Sequence, residues 1–128
     1  MPAASSTSAT PDASSFAPEP VAEDFGTRGG GRLALRPNSF YAASSDMVAA
    51  NVDLAGMVAR YGELRLPVAI LYGRGDAILD PAMHGTPTAD LIAGAEIELV
   101  DGGHMLPVTQ PALTAKWIER QVARHVAA

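Results

Sequence analysis

Residues 66–107, LPVAILYGRGDAILDPAMHGTPTADLIAGAEIELVDGGHMLP, decide how this chain folds. Pro67 opens an apolar run, VAILY at 68–72, that stops at the Gly-Arg-Gly-Asp of 73–76. Every residue of that run is apolar rather than every second one, the pattern of a parallel strand covered on both faces. Thr86 and Pro87 suit the cap and first position of a helix reaching Leu91 and Ile92, and Gly94 ends it. Residues 95–100 form the next strand, and Gly102, Gly103 and His104 follow it. A strand, helix and strand in this order predict a parallel pair. Side chains leave the packed layers at the C-terminal ends of such strands, so Asp76 and His104 are expected side by side there. An acid beside an imidazole is the rear part of a nucleophile, base and acid relay.

Each residue also has a plainer reading. Asp76 alone could be a turn former accepting a backbone N–H, and His104 alone a loop histidine bonded to a carbonyl or water. Their joint position beyond two neighbouring strands favours the pair. Gly102 and Gly103 are expected to let the backbone turn tightly and to leave room for a substrate beside the ring. Asp80, His84 and His104 lack the spacing of a metal-binding helix, so no metal and no cofactor is expected. Arg74, Gly75 and Asp76 also spell an integrin-type tripeptide, read here as coincidence.

Beyond this stretch, Pro111 permits a helix to Val126 with Ala115, Ile118, Val122 and Val126 buried and Lys116, Arg120 and Arg124 facing water. Upstream, Asn38 or Ser39 suits a helix cap, and a second helix is expected from about Asn51 or Asp53 to Gly62. Leu54, Met57, Val58 and Tyr61 share one face of it. Core packing is the ordinary explanation of that face; a cap in which Phe40, Tyr41 and Met57 touch substrate is the functional one. FAPEPVAEDF at 16–25 reads as an extended segment lying across another element. TRGGGR at 27–32 has no strand before it and no Lys-Ser/Thr after it, so it reads as a turn rather than a phosphate cradle.

Of the first 20 residues, 16 are Ser, Ala, Pro or Thr, and residues 1–15 are expected to be disordered. The net charge of −5 is concentrated before Arg28, where Asp12, Glu19, Glu23 and Asp24 lie. The near-neutral remainder lacks the basic footprint of nucleic-acid or membrane-surface binding. With no cysteine, thiol catalysis and disulfides are excluded. No signal peptide or membrane span is legible, and a cytoplasmic location is expected.

The ordered motifs resemble the C-terminal part of the α/β-hydrolase family. PVAILYGRGDAILDP is similar to its penultimate core strand and acid turn, and VDGGHMLPVTQP to its last strand and catalytic-histidine loop. FAPEPVAEDF, LALRPNSFYAASSD and ARYGEL resemble the cap and connecting segments of bacterial members. The resemblance implies an α/β fold with two parallel strands and flanking helices, a cap-like segment at 16–65 and a core segment at 66–128. It also implies that Asp76 is the acid and His104 the general base of a serine-type ester hydrolase acting on a small-molecule ester. The family's Gly-x-Ser-x-Gly elbow and oxyanion loop do not occur in this sequence. Ser39, Ser44 and Ser45 lack flanking glycines. The expectation is therefore a C-terminal portion whose nucleophile lies elsewhere, inactive alone and prone to self-association. The alternative is a non-catalytic remnant or interaction module that binds a partner through an exposed strand edge.

Overall fold

The structure is a computed structural model that describes residues 13–126. Residues 1–12 of the expected disordered tail lie outside the described residues, while Ala13–Ser15 form a 3-10 turn. Helix α1, Pro37–Val58, is one continuous helix where two were expected. Pro37 sits at its first turn and holds Arg36 extended, so neither Asn38 nor Ser39 caps it. Asn51 and Asp53 do not interrupt it because no proline intervenes and alanines at 42, 43, 49, 50 and 55 favour the helical backbone. It ends at Val58, and Gly62 lies in a separate 3-10 turn, Tyr61–Glu63. The core-packing reading of its apolar face fails, since α1 has no buried residue and Leu54 and Met57 are more than half exposed.

Strands β1, Ala69–Gly73, and β2, Glu96–Val100, pair in parallel with Ala69 opposite Glu96 and Gly73 opposite Val100. Helix α2, Gly85–Leu91, connects them. His84, not Thr86, occupies its cap position; Thr86 is already inside the helix, and the Thr88 hydroxyl donates to the His84 carbonyl. In this register Ile70, Tyr72, Ile97 and Leu99 share one face. α2 covers that face, its Gly85 lying so close to Tyr72 and Ile97 that any side chain there would collide. Gly94 adopts φ 75° in the turn into β2, a conformation that favours glycine.

The other face carries Leu71 and Gly73 together with Glu96 and Glu98, and it meets α4, Pro111–Val126. α4 follows a short helix α3, Leu106–Thr109. The helix spans the expected residues but turns a different side inward. Leu113, Thr114, Trp117 and Gln121 are its less exposed positions, whereas Ala115, Ile118 and Val122 are exposed. The side chain of Val126 lies outside the described residues. The observed face brings two ion pairs to the sheet: Arg120 donates to Glu98 at 2.6 Å and Arg124 to Glu96 at 2.7 Å. Both arginines remain about half exposed, so they are water-facing and paired at once. Each pair contributes about 1 kcal/mol at most.

Segment 16–25 does lie across another element, but it is not extended: residues 16–18 and 23–25 lie in turns, residue 19 in a bend, and only residues 20–22 between them are free of turns. Phe16 is 1% exposed and packs edge-on against Phe25 with ring centroids 4.9 Å apart. The Ala17-Pro18 peptide is cis. Residues 27–32 form turns leading into a 3-10 helix, Gly31–Leu35, as the turn reading of that glycine cluster expects. Among the described residues, no helix is long and apolar enough to cross a membrane.

Candidate active site

Parallel pairing delivers both loops to one end of the sheet, and the ladder continues past the strand ends. The Arg74 N–H donates to the Val100 carbonyl and the Gly75 N–H to the Gly102 carbonyl, each at 2.8 Å. Two glycines make this approach possible. A Cβ at Gly73 would strike the backbone oxygens of Gly102 and Gly103, and Gly102 itself has φ 142°. A Cβ at Gly103 would strike the carbonyl of Ala17, so this glycine admits segment 16–19, while Gly103 and His104 also border the open cavity beside the ring.

Asp76 and His104 meet at this end. His104 Nδ1 lies 2.9 Å from Asp76 Oδ2. The other oxygen, Oδ1, accepts the N–H groups of Ile78 at 2.9 Å and Leu79 at 2.8 Å. The turn contact and the acid–imidazole contact are thus both present, one on each oxygen. The Asp76 side chain is only 5% exposed, and that desolvation pushes its pKa up. The Leu79 N–H, the His104 ring, the Ile78 N–H and the attraction of His104 outweigh it and hold the carboxyl below its usual value. An ionised carboxylate only accepts, so Nδ1 is the donor in this contact; in the neutral imidazole that leaves the lone pair on Nε2. His104 is 34% exposed and accessible to solvent.

A lowered folded-state pKa means that Asp76 stabilises the fold above its ordinary value of 3.8 and loses that contribution as pH falls through the lower folded value. Urea midpoints between about pH 5 and about pH 2 should therefore fall more steeply for the native chain than for Asp76→Asn. Equal slopes would show that the carboxylate is not held in this way.

A cavity of about 340 Å³ adjoins the pair, lined by Leu71, Leu79, Leu106, Trp117 and others. Tyr72 also lines it, and burial, then the charges of Asp76 and Asp80, raise its phenol pKa, keeping it a neutral donor. Among the described residues no serine lines this cavity; the aliphatic hydroxyl there is that of Thr114, whose Oγ1 is buried without a hydrogen-bond partner among the described residues. Ser44 and Ser45 line a separate groove on α1 with Tyr41 and Val52. Phe40, Tyr41 and Met57, which the alternative cap reading puts against substrate, are exposed on α1 and do not line the cavity.

Among the described residues, no three His, Asp or Glu side chains gather closely enough to hold a metal ion, Asp80, His84 and His104 included. Asp80 Oδ1 instead accepts the Ala82 N–H at 2.8 Å. The carboxylate of the Arg-Gly-Asp tripeptide is occupied by His104 and two backbone N–H groups. No protein-family model, curated protein or solved structure matches this chain.

Proposed function

We propose that this chain carries the acid and the general base of a serine-type ester hydrolase of the α/β-hydrolase kind, with a serine nucleophile supplied by sequence this chain does not contain. The observation that carries the reading is the 2.9 Å contact between His104 Nδ1 and Asp76 Oδ2, with Oδ1 held by two backbone N–H groups. His104 Nε2 takes the serine proton as the hydroxyl attacks the ester carbonyl, then returns it to the departing alcohol. Water repeats the cycle on the acyl intermediate. Asp76 holds the tautomer and stabilises the imidazolium. The apolar walls given by Leu71, Leu79, Leu106 and Trp117 suit the hydrocarbon part of a small ester. Oxyanion donors belong, in this reading, with the nucleophile.

Purified alone, the chain should hydrolyse p-nitrophenyl esters no faster than its His104→Ala variant. Joined to an elbow-bearing segment encoded upstream of Met1, it should become an esterase. His104-dependent hydrolysis by the chain alone would place the nucleophile within it and overturn this division of labour. A joined protein that binds ester without cleaving it would overturn the hydrolase reading.

A second reading, a module binding a partner through a strand edge, is favoured by one specific observation. Among the described residues β1 and β2 pair only with each other, so each strand has an outer edge without a ladder partner. The exposed side chains of Phe40, Met47, Val52 and Met57 add apolar surface. Both readings predict association, but the hydrolase portion should self-associate non-specifically. Size-exclusion chromatography with denaturant melts at several concentrations separates them: a concentration-independent, steep monomeric melt would support the self-sufficient module.

A further inference from the structure

The backbone that presents His104 is held from two sides, by the nearby Gln110 and by Glu19, which is far from it in sequence. Gln110 stands between α3 and α4, its N–H donating to the Leu106 carbonyl at 2.8 Å and its carbonyl accepting the Thr114 N–H at 3.0 Å. Its side-chain Nε2 donates to the Asp101 carbonyl at 2.6 Å and to Glu19 Oε1 at 3.1 Å. An amide NH₂ has two hydrogens, so both bonds form together. Asp101 opens the loop that reaches His104 three residues later. Glu19 belongs to segment 16–19, anchored by buried Phe16 and pressed by the Ala17 carbonyl against Gly103. A Cβ on Gly102 would meet both Gln110 Nε2 and Glu19 Oε1 at under 3 Å. The two polar side chains thus enclose the glycine pair.

We propose that Gln110 and Glu19 are positioning residues for His104, their bridge to the Asp101 carbonyl fixing the backbone of the histidine loop and hence the aim of its imidazole. The proposal rests on the acid and base assignment above. Asp76 holds the ring at Nδ1, but a single hydrogen bond leaves the ring free to tilt with its backbone. The bridge removes that freedom from the opposite side. Segment 16–19, which the sequence presents as a connector, is in this account part of the site.

Histidine-labelled NMR on the full chain tests this without requiring turnover. The native chain should show a His104 Nδ1 proton protected from solvent and an unprotonated Nε2. Gln110→Met keeps volume and removes both bonds; it should speed exchange of that proton at least tenfold while β1 and β2 amide protection persists. Glu19→Ala should give a smaller acceleration, and Glu19→Gln, which keeps an acceptor oxygen, should restore native exchange. If Gln110→Met does not fold, the two Glu19 variants decide the matter. Native His104 exchange in folded Gln110→Met, or equal exchange in Glu19→Ala and Glu19→Gln, overturns the bridge alone. A native chain lacking the protected Nδ1 proton overturns the acid and base assignment as well.

Discussion

In the joined esterase, Asp76→Asn should lower kcat by about 10⁴-fold with little change in KM, and His104→Ala should lower it at least as far. The asymmetry of the Asp76 carboxylate explains the size of the first effect. Oδ1 serves the Ile78 and Leu79 N–H groups, so an asparagine that preserves this turn directs its NH₂ at His104. That group donates, and Nδ1 must then accept, which moves the ring proton to Nε2. The base is lost although the geometry is kept. Measuring kcat across pH checks this: the Asn variant should recover only where hydroxide replaces the base. A loss of tenfold or less would mean that Asp76 is merely a turn residue.

Gly73→Ala should destabilise the chain by about 3 kcal/mol or more, the upper range for overpacking, because the obstacle is backbone rather than a flexible side chain. The added methyl would overlap the carbonyl oxygens of Gly102 and Gly103, and β1 could accommodate it only by parting from the histidine loop. The Arg74 and Gly75 N–H bonds to Val100 and Gly102 would go with it. Hydrogen exchange at those two amides, together with the denaturant midpoint, reads the effect. Gly56→Ala is the control: it meets nothing within 4 Å and lies in α1, so it should be neutral or stabilising by up to about 1 kcal/mol. Similar midpoints for the two variants would contradict the close approach of the loops.

The pairing of Asp76 with His104 was legible because parallel strands carry whatever follows them to one end of the sheet, and the apolar run at 68–72 signals such a strand. The span of α4 was legible from Pro111 and its helical spacing. Its inward face was not, since an apolar stripe carries no information about Glu96 and Glu98, with which Arg124 and Arg120 pair across the sheet. Asn51 and Asp53 suggested a break in α1 because such residues favour caps, yet within an alanine-rich run their local preference loses to helix continuation. Glu19 and Gln110 are 91 residues apart, and no local pattern announces their bond. The glycines at 102 and 103 gave the nearest signal, marking a close backbone approach without saying what approaches.

In the proposed site an ionised Asp76 holds the His104 proton on Nδ1 and leaves Nε2 as a base. NMR of histidine-labelled chain near neutral pH observes this directly. In the native chain the His104 ring should be protonated at Nδ1 and bare at Nε2, and in Asp76→Asn the reverse. A His104 ring protonated at Nε2 in the native chain, or one indistinguishable from those of His84 and His125 and unchanged by Asp76→Asn, would contradict it.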